Sequence, residues 1–281
     1  MSWRLEIHHR TTYRYASDVQ SSYNEARLTP TTNSRQTVLS SSLEVSPRIT
    51  PFRYIDSFGT TVHSFDLHTP HDHLTVVGHS ITETEAPRPI FNRLGWKELR
   101  TERVADRFYD YLALTPLVDL NDAMRAAADD CVDSFDDPTE AAGAIFGFVR
   151  SHVAYVTGST EVGTTASSAF TSGTGVCQDY VHVSLALLRR AGIPSRYVSG
   201  YVHKSSEAML GEPVRGESHA WVDVWTGDWW GFDPTGDVGV GERHAVVASG
   251  RDYRDVAPLK GVYTGAALDR LEVGVELTRR A

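Results

Sequence analysis

The first part of the chain alternates polar and apolar positions in short runs, as in LEIHHRTTYRY, SSLEVSP and LTVVGHSITETE. Turn-forming residues such as Pro30, Pro47, Gly59 and Pro70 separate these runs. Short alternating runs between turns are typical of antiparallel strands in a small sandwich or barrel. The pattern therefore predicts an antiparallel β region over residues 1–90, which ends at the prolines of APRPIFNRLG.

The apolar positions change to a helical period from about residue 97 onward. In DDPTEAAGAIFGFVRSHVAY, Asp137 is expected to cap a helix and Pro138 to occupy its first turn. A second helix is predicted over residues 177–191, because Gly192 and a later proline end its apolar run. The polar, Gly/Ser/Thr-rich residues 156–176 between the two helices predict a long loop, and such loops often border a site.

Three strand-like runs follow the second helix: SRYVSGYVHK, ESHAWVDVW and DWWGFDP. In the second run, His219 faces the side opposite to Ala220 and Val222, because successive residues alternate across a strand. We expect one core over residues 91–281, which includes the carboxyl-terminal run RLEVGVEL.

Composition and charge narrow the range of partners. The chain has 281 residues and a net charge of −9, with no basic run. We therefore expect neither nucleic acid nor an anionic membrane surface as a partner, since both need clustered Lys and Arg. No segment approaches the roughly 18 apolar residues of a membrane span. MSWRLEIHHRTTYRYA lacks the apolar centre of a secretory signal, so we expect a cytoplasmic protein whose two cysteines are reduced.

The two cysteines differ in their surroundings. Cys177 follows a glycine-punctuated stretch and begins a predicted helix. The free N–H groups and the dipole at a helix start favour a thiolate over a thiol. The backbone N–H of Cys177 is also placed to donate to the oxyanion of a tetrahedral intermediate. Cys131 lies late in an acidic helical pattern, so we expect that thiol to be inert.

A reactive thiol needs a base, and the base needs a group that orients it. His219 lies on a predicted strand, on the face opposite to its aliphatic residues. Asp233 ends the run WWGFD and precedes a proline, so its carboxylate is expected at a strand end. If these two strands are neighbours, both side chains meet at the start of the Cys177 helix and form a Cys–His–Asp triad.

We expect Trp221, Tyr155 and Gln178 to border the substrate groove. Core packing is the favoured role for most tryptophans in this region, which leaves one or two for the groove. Tyr155 stands at a helix end before the long loop, and Gln178 directly follows the candidate nucleophile. Asp179 suits the positive end of the helix, so a stabilising role is expected for it.

The segments around these residues resemble a known family. GVCQDYVHVSLALLRRAGIPSRYVSGYV, SHAWVDVW and GFDPTGD are similar to the core of the bacterial transglutaminase-like superfamily of thiol enzymes. TYRYASDVQSSYNEARLTP, YIDSFGTTVHSF and HLTVVGHS resemble the β region that often precedes this core, and GRDYRDVAPLKGVYTG resembles the segment after it. The resemblance implies a papain-like α+β fold, in which a helix bearing the cysteine packs on an antiparallel sheet.

The resemblance also implies roles for three residues. Cys177 would be the nucleophile, His219 the base and later the acid, and Asp233 the group that orients the imidazole. Members of the family cross-link glutamine side chains to amines, hydrolyse peptides or amides, or remain unassigned. They share the attack of a thiolate on an amide carbonyl, which leaves a thioester and needs no cofactor. For this chain we expect a protein or peptide amide substrate, with hydrolysis slightly favoured over transamidation because water is always present.

Two other interpretations stay open. The first is a non-enzymatic protein-interaction module on the same fold, although the intact Cys, His and Asp disfavour it. The second is a metal-binding protein, because HSFDLHTPHDH holds His63, His68, His71 and His73. These histidines lack the spacing of a zinc site, so no metal ligand is assigned. The sequence leaves the acyl acceptor and the oligomeric state open.

Overall fold

The structure, a computed structural model, describes residues 2–87, 89–205 and 209–281. Within these ranges the chain forms fifteen strands and eight helices. The strands are β1 (Ser2–Ala26), β2 (Gln36–Ser46), β3 (Phe52–Ile55), β4 (Thr61–Leu67), β5 (His71–Glu85), β6 (Ala154–Tyr155), β7 (Thr174–Gly175), β8 (Ser195–Val202), β9 (Pro213–Gly216), β10 (Ser218–Trp225), β11 (Trp229–Asp233), β12 (Val238–Gly239), β13 (His244–Gly250), β14 (Leu259–Gly265) and β15 (Leu268–Arg279). The helices are α1 (Trp96–Leu99), α2 (Glu102–Arg107), α3 (Tyr109–Leu112), α4 (Asp122–Asp133), α5 (Pro138–His152), α6 (Ala166–Ser172), α7 (Cys177–Arg190) and α8 (Tyr253–Val256).

A first sheet of eight strands is built around β1, which pairs in antiparallel fashion with β5, β15, β14 and β4. β2 pairs with β5, β3 with β4, and β9 with β15. Leu5 and Ile7 of β1 are buried, whereas Arg4 and His8 are exposed. The alternation read in the sequence thus sets the two faces of this strand, one on the core and one in solvent.

The last two strands of the chain belong to this first sheet. Ile7 of β1 lies opposite Leu277 of β15, and Ala26 lies opposite Leu259 of β14. The core predicted over residues 91–281 includes these strands, whose hydrogen-bonded partner β1 lies in the amino-terminal region. Their alternating pattern is the same whichever sheet they join, so the sequence does not define their partner. The division of the chain between residues 90 and 91 stays a prediction.

A second antiparallel sheet of five strands has the order β12-β11-β10-β8-β13. Helix α7 packs on β10 and β8. Every residue of α7 from Gln178 to Arg189 is buried, as expected of a helix at the centre of a core. Gly192, at φ +79°, follows the helix in the left-handed conformation, which confirms the predicted end.

Helix α5 lies beside α7 and begins as the sequence predicts. The Asp137 side chain accepts the N–H of Thr139, and Pro138 is the first helical residue. A proline fits there because the first turn of a helix needs no N–H donor. The apolar face of α5 is buried against the core through Ala142, Ile145, Phe146 and Val149.

The long loop predicted over residues 156–176 is wrong in part, because α6 and β7 lie within it. The Thr165 hydroxyl accepts the N–H of Ser168 at the start of α6, and Gly173 ends the helix at φ +66°. This helix has only seven residues, rich in Ser and Thr. Such a segment is too short for a helical period to stand out in a sequence.

The helices and the second sheet share one apolar core, which also includes Leu5 and Ile7 of the first sheet. A smaller cluster, with Phe65 and Leu74 among its members, lies within the first sheet. The predicted α+β class with an amino-terminal antiparallel β region is therefore confirmed. Among the described helices, none has the length and apolar character needed to cross a bilayer.

Candidate active site

A pair of two-residue strands, β6 and β7, leads to Cys177. β6 and β7 pair in parallel, which sets Tyr155 beside Gly175. A side chain at Gly175 would put its Cβ 2.6 Å from the Cβ of Asp179, so glycine is the residue that fits here. Cys177 is the first residue of α7 and is partly exposed. Backbone N–H groups in the first turn of a helix have no carbonyl partner within the helix, so that of Cys177 is available to a ligand.

Asp179 holds the turn before the cysteine. Its Oδ2 accepts the backbone N–H of Val176 at 2.8 Å and the hydroxyl of Thr160 at 2.6 Å. Burial raises the pKa of this carboxyl, although both hydrogen bonds act in the opposite direction. The bond to Val176 is the helix-stabilising role expected for Asp179, and the bond to Thr160 ties the preceding loop to the helix start.

Gln178 contacts the same loop. Its side-chain N–H group donates to the carbonyl oxygens of Glu161 and Val162 at 3.4 and 3.3 Å. The side chain is buried, and these bonds turn it toward the loop. The sequence predicts a substrate contact for Gln178, whereas the structure makes it a loop anchor. Neighbouring residues of a helix point about 100° apart, so adjacency to the nucleophile does not put a side chain in the cleft.

His219 and Asp233 lie on neighbouring strands of the second sheet. Val222 of β10 pairs with Phe232 of β11, which puts Asp233 one diagonal step from His219 on the same face. His219 Nε2 lies 2.8 Å from Asp233 Oδ2. The two side chains retain 15% and 5% of their exposure to solvent. The structure thus brings together the pair that the sequence predicts.

Asp233 is fixed by more than the imidazole. Its Oδ1 accepts the backbone N–H groups of Thr235 and Gly236, at 3.0 and 3.1 Å, in the turn after β11. Burial raises the pKa of the Asp233 carboxyl, but its hydrogen bonds, chiefly from His219, outweigh burial and hold the pKa below its usual range. The carboxylate therefore stays ionised in a fixed orientation.

The charge of His219 depends on both of its neighbours. Burial lowers the pKa of His219, but Asp233 and Cys177 outweigh burial and raise it to about 10. The arrangement therefore favours an imidazolium at neutral pH. Because Nε2 donates to Asp233, Nδ1 is the nitrogen left for the sulfur of Cys177.

A cleft of about 470 Å³ opens at these residues, with Cys177 and His219 in its wall. Tyr155, half exposed, forms part of the same wall, and its contact with substrate stays a prediction. Trp221 is fully buried and lies outside that wall, in contrast to the predicted substrate contact. Its ring packs 6.3 Å from the ring of His219 and 5.3 Å from that of His244. Strand alternation does not reveal which faces are covered, and both faces of β10 are buried in this sheet.

The cleft also holds polar residues that no sequence motif marks. They include two cationic side chains and one anionic side chain, Lys204, Arg243 and Glu217. His244 lines the cleft as well and is almost fully buried. In the sequence, His244 is marked by its position at the start of the strand-like run HAVVASG.

A second cleft, of about 520 Å³, is lined by residues that include Trp229, Trp230 and Phe91. Its described lining includes no cysteine or histidine, so its volume alone does not indicate a catalytic site. Trp229 packs edge-on against Phe108 and Tyr111, which is the core role favoured for most tryptophans of this region.

The histidines of HSFDLHTPHDH have separate partners. His71 is buried and contacts the Ser22 hydroxyl and the Thr69 carbonyl, at 3.3 and 2.8 Å. His73 contacts the neighbouring Asp72 carboxylate at 2.7 Å. In residues 2–87, 89–205 and 209–281, no group of three metal-competent side chains includes any of the four candidates, His63, His68, His71 and His73.

Within those ranges, the one such group is Glu6, His8 and His79 on the solvent face of the first sheet. Glu6 Oε1 lies 3.0 Å from His79 Nε2, and its other oxygen pairs with Arg280. The Glu6 carboxylate thus pairs with Arg280 and contacts His79.

Comparison with known families agrees with the fold. Residues 5–83 match the bacterial transglutaminase-like N-terminal region, and residues 125–234 match the transglutaminase-like superfamily. The second match spans Cys177, His219 and Asp233.

Individual proteins resemble the chain over nearly its whole length. An uncharacterized protein of Mycobacterium leprae is 44% identical over 279 residues, which cover 99% of this chain and 100% of that protein. An uncharacterized protein of Mycobacterium tuberculosis is 31% identical over 299 residues, which cover 98% and 92%. The crystal structure of a suggested cysteine protease from Cytophaga hutchinsonii shares the fold, with a TM-score of 0.77, 21% identity and coverage of 99% and 98%. The chain belongs to the transglutaminase-like superfamily and carries the bacterial amino-terminal region of that family.

Proposed function

We propose that the protein is a cysteine-dependent enzyme that hydrolyses or transfers the acyl group of a protein or peptide amide through a thioester on Cys177. The observation that carries the proposal is the 2.8 Å contact between His219 and Asp233 in the cleft that also exposes Cys177. Membership of the transglutaminase-like superfamily supports the general kind of activity. The Cytophaga hutchinsonii protein, which shares the fold, is itself a suggested cysteine protease.

In the first half-reaction, the sulfur of Cys177 attacks the amide carbonyl as a thiolate paired with the His219 imidazolium. The backbone N–H of Cys177 donates to the oxyanion of the tetrahedral intermediate. Nδ1–H of His219 then gives its proton to the leaving nitrogen, the C–N bond breaks and the amine departs. A thioester and a neutral imidazole remain.

In the second half-reaction, Nδ1 of His219 removes a proton from water as the water oxygen attacks the thioester carbonyl. The C–S bond breaks, the thiolate is restored and the product leaves as a carboxylic acid. Asp233 keeps its bond to Nε2 throughout, so that Nδ1 remains the nitrogen that moves the proton. The thiol and imidazole supply the nucleophile and the proton, so the reaction needs no cofactor.

An amine in place of water would give transamidation from the same thioester. We favour hydrolysis slightly, because water is always present whereas transamidation needs a bound amine. We also propose that the protein works in the cytoplasm, where its two free thiols, Cys131 and Cys177, stay reduced.

Trapping the acyl-enzyme tests the proposal. The protein is mixed with a peptide digest of a cell extract, quenched in acid and digested, and the Cys177 peptide is weighed by mass spectrometry. We expect a hydroxylamine-labile adduct on Cys177 that is absent from Cys131 and from a Cys177→Ala variant. Added alkylamine converts the released product from acid to amide if transamidation competes. A folded protein that never acquires an adduct on Cys177 would favour the protein-interaction module instead.

A further inference from the structure

His244 is a buried histidine beside the candidate triad. It begins β13, is 4% exposed and lines the same cleft as Cys177. Its Nε2 lies 3.8 Å from Oδ2 of Asp233, the same oxygen that contacts His219. The ring of Trp221 packs edge-on against it, with the ring centres 5.3 Å apart. Two imidazoles therefore approach one carboxylate oxygen.

The hydrogen bond that Nδ1 of His244 accepts shows which ring nitrogen carries the proton. The backbone N–H of Gly241 donates to Nδ1 at 3.3 Å, so Nδ1 is unprotonated and Nε2 bears the hydrogen of the neutral ring. Nε2 is buried, and among the described residues no acceptor lies within hydrogen-bond distance of it. An unpaired buried donor is unfavourable, so a small shift that closes the gap to Asp233 is favoured.

Oδ2 of Asp233 is the oxygen that can accept a hydrogen bond from His244 Nε2–H. Its Oδ1 is already occupied by the N–H groups of Thr235 and Gly236, which leaves Oδ2 for the two imidazoles. The charged groups that face His244 are Asp233 on β11, His219 on β10 and its own neighbour Arg243. Burial lowers the pKa of His244, although Asp233 acts the other way, so its ring is neutral at neutral pH. A neutral His244 can orient the Asp233 carboxylate without placing a second positive charge next to the His219 imidazolium.

We propose that His244 is a positioning residue, whose Nε2–H donates to Oδ2 of Asp233 and holds that carboxylate on His219 while the Cys177 ion pair forms. The inference rests on the proposed function of the triad. It extends the chain of contacts from the sulfur through His219 and Asp233 to a fourth side chain. In this role His244 acts through the Asp233 carboxylate and not on the reacting atoms.

The test measures the rate at which iodoacetamide alkylates Cys177 at about pH 6.5, which needs no known substrate. His244→Leu removes the donor, whereas His244→Gln keeps an N–H group at the position of Nε2. We expect the leucine variant to react about ten-fold more slowly, the loss typical of one hydrogen bond to a charged group, and the glutamine variant to stay within about three-fold of wild type. His9→Leu is the matched control, because His9 is equally buried but contacts Thr11 in β1 and Tyr201 in β8, and not Asp233.

A double-mutant comparison separates positioning from general support of the fold. If His244 acts through Asp233, then His244→Leu slows alkylation no further in an Asp233→Asn background. The inference is overturned if the leucine variant matches wild type, if glutamine slows the reaction as much as leucine, or if the two losses add. His244→Met replaces leucine in the same comparison should the leucine variant not fold. A wild-type Cys177 that reacts no faster than Cys131 would instead refute the proposed function itself.

Discussion

Asp233→Asn tests how the triad sets the charge of His219. Oδ1 of Asp233 accepts two backbone N–H groups, from Thr235 and Gly236, so the asparagine oxygen must take that position. The amide NH₂ then replaces Oδ2 and faces His219 Nε2. Since a donor cannot face a donor, His219 must carry its proton on Nδ1. The nitrogen that faces Cys177 can then no longer accept a proton from the thiol.

The magnitude follows from the contributions to the pKa of His219. Burial lowers this pKa, and the bond to Asp233 is the largest contribution that raises it to about 10. Without the carboxylate charge, and with Cys177 left as a neutral thiol, burial is the dominant remaining contribution, so the pKa is expected to fall below its ordinary value of 6.5. At pH 7.5 the imidazolium would then be present in fewer than about one molecule in ten. Loss of the correct tautomer and of the ion pair slows alkylation of Cys177 by roughly 100-fold or more.

NMR of the imidazole nitrogens measures this directly, with the His219 signal assigned by its loss in His219→Gln. We expect the wild-type ring to stay protonated through about pH 9 and the Asp233→Asn ring to lose its proton below about pH 6.5. Asp237→Asn is the matched control, because it removes an equal charge from an exposed residue that pairs with Arg150. If His219 remains protonated at pH 9 in Asp233→Asn, or if alkylation slows less than about three-fold, the roles given to this pair are wrong.

Three further predictions concern the same region. Cys177→Ala is expected to abolish acyl-enzyme formation while the thermal unfolding midpoint stays near that of wild type, because the thiol is partly exposed at a helix start; residual turnover close to wild type would contradict the nucleophile. Gly175→Ala should lower the unfolding midpoint by about 3 to 10 °C, because its new Cβ would lie 2.6 Å from that of Asp179; an unchanged midpoint would show that the helix start tolerates the contact. The free energy of unfolding of wild type should exceed that of His219→Gln below about pH 6.5, because the pKa of His219 is raised in the folded state. This difference should disappear as the pH rises toward about 10. A difference that instead grows with pH would contradict the sign of the pKa shift.

The site residues could be predicted because their placement is local. A glycine-punctuated stretch before an apolar run fixes Cys177 at a helix start, whatever the rest of the fold does. His219 and Asp233 lie on strands that are consecutive along the chain, and such strands are usually neighbours in a sheet. The contact between His219 and Asp233 therefore follows from one assumption, that their two strands pair. The pairing of Val222 with Phe232 satisfies it.

What the sequence could not predict depends on distant partners. Trp221 alternates as a groove residue would, but the second face of its strand is covered and the indole is buried. Gln178 bonds to loop carbonyls that no periodicity locates. The carboxyl-terminal strand that contains Leu277 joins β1, more than two hundred residues away along the chain, because strand alternation specifies a buried face and not a neighbour.

Alkylation of the wild-type protein tests the central claim most directly, because Cys131 serves as an internal reference. Burial raises the pKa of the Cys131 thiol, and Asp130 raises it further, so that thiol should react slowly. At about pH 6.5 we predict that iodoacetamide modifies Cys177 at least about 100-fold faster than Cys131, and that His219→Ala removes most of this difference. Equal rates at the two cysteines, or a fast rate at Cys177 that survives the loss of His219, would contradict a thiolate held by that imidazole.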